Sequence, residues 1–163
     1  MTSLRGKKLR FAVPMGLSAL MLAVSGALSP ASAATHWAYQ NGIGGGPCLS
    51  STSDGGSATA LSCASTIRQQ WYWGSESNSW QGHTMKRLVN VATGACLTTD
   101  NKSEWNAVWL APCGNRSGQF WTADDDRIQN QNGNFLINDG DDALHTVREY
   151  SGSIEFLWVG RTW

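Results

Sequence analysis

The sequence predicts an all-β fold made of one unit used three times, and three observations carry that prediction. A pattern of about 40 residues recurs three times after residue 33. Between its fixed points lie short alternating apolar runs separated by Gly, Asn, Asp and Ser, with no helical spacing of apolar residues over a credible window. The four cysteines fall as one pair in each of two copies.

The clearest copy runs from Arg87 to Trp121. Leu88 and Asn90 precede a turn at Thr93-Gly94, then come Cys96-Leu97 and a polar loop leading to the strand Val108-Trp109-Leu110. Strand side chains alternate, so Val108 and Leu110 share the inward face and Trp109 points outward. Pro112-Cys113 pins the end of that strand, and a second loop reaches Gln119-Phe120-Trp121.

Upstream, Asn41, a glycine-rich turn from Gly42 to Gly46, Cys48-Leu49, Ala58-Thr59-Ala60, Cys63 and Gln69-Gln70-Trp71 repeat the order. The second cysteine stands six residues before the Gln in both copies. The Leu after the first cysteine lies 22 or 24 residues before the Trp. Downstream, Arg127-Ile128-Gln129-Asn130 and Gly133-Asn134-Phe135-Leu136 continue the pattern, and Leu136 to Trp158 is again 22. This third copy has Phe135 and about Tyr150 where the others have cysteine, and Phe156 where they have Gln. A copy of this size cannot bury its apolar face alone, so the three must share one core.

Residues 1–33 read as a secretory signal. Arg5, Lys7, Lys8 and Arg10 precede a mainly apolar run to Leu28, and Ala31-Ser32-Ala33 offers a small-x-small cleavage site. Removal leaves a domain over 34–163 with eight basic against twelve acidic residues, a net charge of about −4. With Lys86 and Lys102 its only lysines, that surface argues against nucleic acid, whose phosphates need clustered positive charge. No membrane span is expected once the leader is gone. Export also places the cysteines in an oxidising compartment, and the repeat pairs Cys48 with Cys63 and Cys96 with Cys113. A zinc site is the competing reading, made poor by the wide spacing and the lack of His partners.

Gly-x-Cys-Leu, Val-x-Leu-x-x-Cys and Gln-x-Trp, as they stand around Cys96, Val108 and Gln119, resemble the ricin-B-type lectins, over essentially the whole chain after the leader. The resemblance implies a single β-trefoil: twelve short strands with pseudo-threefold symmetry. It further implies that Trp71, Trp121 and Trp158 pack in the core and that Gln69 and Gln119 tie down the neighbouring loops.

In that family a competent copy holds a sugar with an Asp after the first cysteine, an aromatic ring before the second, and an Asn beside the Gln. The matching positions here are Thr98, Ala111 and Gly118 in the second copy, Ser50, Leu61 and Arg68 in the first, and Ile137, Arg148 and Glu155 in the third. No copy keeps the triad. The second copy offers substitutes: Asp100 and Trp109 are each displaced by two residues and so keep their faces on regular strands, with Trp105, Asn106 and Asn115 in adjoining loops. The expected site has Trp109 stacking on a sugar, Asp100, Asn106 and Asn115 bonding hydroxyls, and Gln119 holding the loop. The alternative for Trp109 is that it covers the seam between copies.

Gly74 to Gln81 reads as a polar loop carrying Trp80, and Asp124-Asp125-Asp126 and the stretch 138–142 read as solvated turns without the ligand spacing of a calcium loop. Asn101-Lys102-Ser103 and Asn115-Arg116-Ser117 match the glycosylation acceptor pattern. No nucleophile elbow, zinc-hydrolase motif, metal site or cofactor motif appears, and the Glu76/Glu104 and Glu149/Glu155 pairs are ordinary for an acidic surface. The expectation is a secreted, extracellular, non-catalytic module that binds glycans or polysaccharide. The second reading is a degenerate trefoil whose aromatic patch docks a secreted protein partner.

Overall fold

The computed structural model describes residues 34–42, 45–140 and 142–162; the leader expected over 1–33 lies outside them. Twelve strands follow in order: β1 Trp37–Asn41, β2 Cys48–Ser51, β3 Ala58–Leu61, β4 Trp71–Trp80, β5 His83–Asn90, β6 Cys96–Thr99, β7 Trp105–Ala111, β8 Phe120–Thr122, β9 Gln129–Asn130, β10 Phe135–Asn138, β11 Leu144–Val147 and β12 Trp158–Thr162. Between them, among the described residues, the only helical pieces are three-residue 3-10 turns, four in number.

The chain folds as a β-trefoil. Strands β12, β1, β4, β5, β8 and β9 pair in that order and line a barrel. The hairpins β2–β3, β6–β7 and β10–β11 form a cap over one end. The hairpins also touch one another: β7 pairs with β11, Ser57 bridges to Trp109 and Thr59 bridges to Ala143. The other end of the barrel is open.

The same bonds recur in each copy, which is the physical content of the repeat. The indole N–H of Trp71, Trp121 and Trp158 donates to the carbonyl of Leu49, Leu97 and Leu136 at 2.9, 2.8 and 3.0 Å. All six side chains have no exposed surface. A fully buried Trp needs a partner for its one donor, and the carbonyl 22 or 24 residues earlier supplies it. Asn90 Nδ2 donates to the Arg68 carbonyl at 2.8 Å, and Asn41 Nδ2 to those of Glu155 and Leu157 at 2.9 Å, so each ties down the last turn of a different copy. Tyr39, Leu88 and Ile128 are buried at the equivalent level of the barrel. Burial pushes the Tyr39 phenol well above its usual pKa, so it stays neutral.

Both predicted disulfides are present, Cys48–Cys63 and Cys96–Cys113. In two respects the strands depart from the sequence reading. β4 runs on through the stretch read as a polar loop, with a register shift between Trp73 and Ser77, and forms a long hairpin with β5. Its tip is folded down, because the Trp80 ring packs on Gly133 and Asn78 Nδ2 donates to Gln131 Oε1 at 3.1 Å. β7 starts at Trp105, three residues before the expected strand, and this changes the site.

Candidate functional site: the outward face of β7

In β7 exposure alternates: Asn106, Val108 and Leu110 are buried, whereas Trp105 and Ala107 are exposed and Trp109 and Ala111 half-buried. Trp109 is directly opposite Thr98 of β6 and bridges to Ser57 on its other side. Asp100 follows β6 on the face that Thr98 and Trp109 share, and its carboxylate pairs with Lys102 Nζ at 2.9 Å.

Asn106 corrects the expectation. The sequence pattern puts it in a loop facing a ligand, but it lies within β7 two residues before inward-facing Val108, so parity turns it inward. Its Oδ1 accepts from the backbone N–H groups of Lys102 and Ser103 at 2.8 and 2.9 Å, and its Nδ2 donates to the Thr146 carbonyl at 3.4 Å. Its amide holds the Asp100–Trp105 loop, and at 2% exposure it is out of reach of a sugar hydroxyl.

Gln119 is fully buried. Its Oε1 accepts from Gly114 N–H at 2.7 Å, and its Nε2 donates to the Pro112 carbonyl at 3.1 Å and to Thr98 Oγ1 at 2.9 Å. Gln69 makes the equivalent bonds to Ala64 and Ser62. Asn115 is exposed and accepts from Arg87 Nη2 at 3.2 Å, and Arg87 also pairs with Glu76. Thus Asp100 and Trp109 share a face, Gln119 lies beneath them, and Asn115 is held by another group.

The triad positions of the second copy are filled. Thr98 is buried, donating to the Cys96 carbonyl while accepting from Gln119. The turn holding Gly118 lies so close to β6 that a Cβ there would sit 1.9 Å from the Thr99 carbonyl oxygen. In the first copy Ser50, Leu61 and Arg68 do line one cleft, of about 640 Å³. In the third, Ile137 and Glu155 line another of about 410 Å³, with an apolar floor of Val147 and Phe156 and with Glu104 and Glu149 at its edge.

Trp105, expected in a loop adjoining the site, lies in β7 and completes that third cleft. It shares the outward face with Trp109, four residues or about 13 Å along the strand, with only Ala107 between. The residue is 57% exposed, its ring stands edge-on to His145 at 5.6 Å, and His145 Nε2 is itself 3.2 Å from Asp139. Strand alternation run back four residues from Trp109, past Ala107, reveals the pair. Among the described residues no three His, Cys, Asp or Glu side chains converge as metal ligands.

No protein-family model and no curated protein matches the chain. Solved structures do. The designed threefold-symmetric protein ThreeFoil superposes with a TM-score of 0.62 at 21% identity, over 77% of this chain and 96% of that one. The Macrolepiota procera ricin B-like lectin in complex with lactose matches with a TM-score of 0.58 at 14% identity, over 81% and 98%. A non-toxic homologue of type II RIPs from Momordica charantia, in complex with α-methyl-D-galactoside, matches at 0.60 and 11% identity over 78% of this chain, which spans 48% of that longer one. The chain therefore has the β-trefoil fold of the ricin-B-type lectins.

Proposed function

We propose that the protein is a secreted, non-catalytic carbohydrate-binding module that holds a glycan or polysaccharide segment along the outward face of β7. The observation that carries this reading is the pair Trp105 and Trp109 on one face of one strand, separated by the small Ala107. Two indoles spaced along a rigid strand offer stacking surfaces for the apolar faces of successive sugar rings. Asp100 on one side and Glu104 and Glu149 on the other supply acceptors for hydroxyl groups. Lactose and a galactoside bound to proteins of the same fold support the ligand class. The two disulfides are consistent with an oxidising, extracellular setting.

The test is a binding screen of neutral glycans and insoluble polysaccharides against the disulfide-bonded protein. Trp105→Ala and Trp109→Ala should each weaken a hit about tenfold, equivalent to ~1.4 kcal/mol. The exposed Trp105 should contribute less than about 1 kcal/mol to stability. A hit that neither substitution weakens would remove this face from consideration.

The apolar floor of the third cleft favours a second reading, docking of a secreted protein partner, since Tyr150 and Ile154 are exposed as well. A silent glycan screen with a folded sample would direct the search there.

A further inference from the structure

The open end of the barrel breaks the threefold pattern. With the copies aligned on Asn41, Asn90 and Asn130, the layer beyond Tyr39, Leu88 and Ile128 consists of Trp37, Lys86 and Asp126. Aligned on Trp71, Trp121 and Trp158, the matching positions two residues on are Trp73, Ala123 and Gly160. The first copy thus contributes two indoles at this level, while the second contributes Lys86 and a methyl group and the third Asp126 and a hydrogen. A cavity of about 470 Å³ lies there, lined by Trp37, Tyr39, Trp73, Lys86, Ala123 and Asp124 among others.

Its walls are ordered. The rings of Trp37 and Tyr39 stack at 6.5 Å, and Trp73 meets Tyr39 edge-on at 6.3 Å. A Cβ on Gly160 would lie 3.1 Å from the Tyr39 ring, so a larger residue there would press on the stack. The two charges differ in state. Asp124 Oδ2 accepts from Thr122 Oγ1 at 2.7 Å and is 2.7 Å from His83 Nδ1, whereas Lys86 forms no ion pair among the described residues.

We propose that this pocket binds a small carboxylate bearing a flat apolar face, the face stacking on the Trp37–Trp73 wall and the carboxylate meeting the Lys86 ammonium. Two sources present that chemistry, the uronic acid residue of an acidic glycan and an aromatic carboxylic acid. The pocket is at the open end of the barrel and is separate from the β7 face, so neither proposal depends on the other.

Titration of the disulfide-bonded full chain with glucuronic acid and with 3-phenylpropionate, read by calorimetry and intrinsic Trp fluorescence, tests it. The neutral counterparts are glucose and 3-phenylpropanol. At least one acid should bind saturably and roughly tenfold tighter than its counterpart. Whichever acid binds identifies the source. Lys86→Met should weaken it by about tenfold or more and Lys86→Arg should retain it, while Trp109→Ala leaves it unchanged. Ala123→Leu should fill the cavity and abolish binding. Silence from both acids, equal binding of the neutral compounds, or a folded Lys86→Met variant that binds as well as the parent would overturn the proposal.

Discussion

The second and third copies solve one mechanical problem in two ways. In the second, the start of β6 is joined to the segment after β7 by Cys96–Cys113, and buried Gln119 bonds that segment at Pro112 and Gly114 and β6 at Thr98. In the third, Phe135 and Tyr150 stand at the cysteine positions and Phe156 at the Gln position. Their rings pack together, with centroids 5.5 Å apart for Phe135–Tyr150, 5.0 Å for Tyr150–Phe156 and 6.2 Å for Phe135–Phe156. Arg127 lies over the Tyr150 ring at 4.9 Å. The inner layer is the same in both, with a buried Trp bonded to the carbonyl of a buried Leu. The core layer is therefore fixed by the shared barrel, whereas the outer clamp needs only to hold two segments together and can be covalent or apolar.

The comparison predicts where substitutions should agree and where they should part. Trp121→Ala and Trp158→Ala should be equally severe, each costing about 3–5 kcal/mol in denaturant unfolding, because both leave a large void and an unpaired buried carbonyl. The clamps come next. Removing Cys96 and Cys113 together should cost about 3 kcal/mol through the loop they close, and Phe156→Ala a similar ~3 kcal/mol through lost packing. Reductant should then distinguish them: amide exchange should rise around β2–β3 and β6–β7 and stay low around β10–β11. Exchange rising equally in all three hairpins would show that the aromatic cluster is no independent clamp. Tyr150→Ala, at a position 43% exposed, should cost only about 1 kcal/mol.

The smallest expected effect concerns acid. The hydrogen bond from Thr122, then that from His83, hold the Asp124 carboxyl below its ordinary pKa of 3.8. A depressed carboxylate pKa contributes stability that is present above the unfolded value and lost as pH falls through the folded one. Thr122→Ala should therefore raise the Asp124 titration midpoint, read by NMR, and flatten the acid limb of stability below about pH 4. The side chain is half exposed, so the change in stability should be small.

Most of the fold was legible because spacing and residue type repeat together: the Leu-to-Trp interval marks three equivalent units, and the cysteine pairs and the Gln mark two of them. What escaped depended on neighbours in space. The extent of β4 is decided by Trp80 packing on Gly133 some fifty residues away, a contact that local polarity conceals. Asn106 looks like any loop amide until β7 is known to begin at Trp105, after which its parity turns it inward. The replacement of two cysteines by Phe135 and Tyr150 was visible along the chain, but their stacking on Phe156 was not. The place of Trp105 in a cleft was hidden for a related reason, since that cleft is made by the third copy, through β7–β11 pairing.

That Trp105 and Trp109 act as one strip is tested most directly by a ladder of oligosaccharides from the best-binding glycan. Affinity should rise with length up to roughly three rings, as expected for stacking sites ~13 Å apart, and then level off. In Trp105→Ala the dependence on length should disappear while weak binding of the shortest sugar persists. A single sugar that binds the parent as tightly as the longest oligosaccharide, with Trp105→Ala indistinguishable from it, would contradict the account.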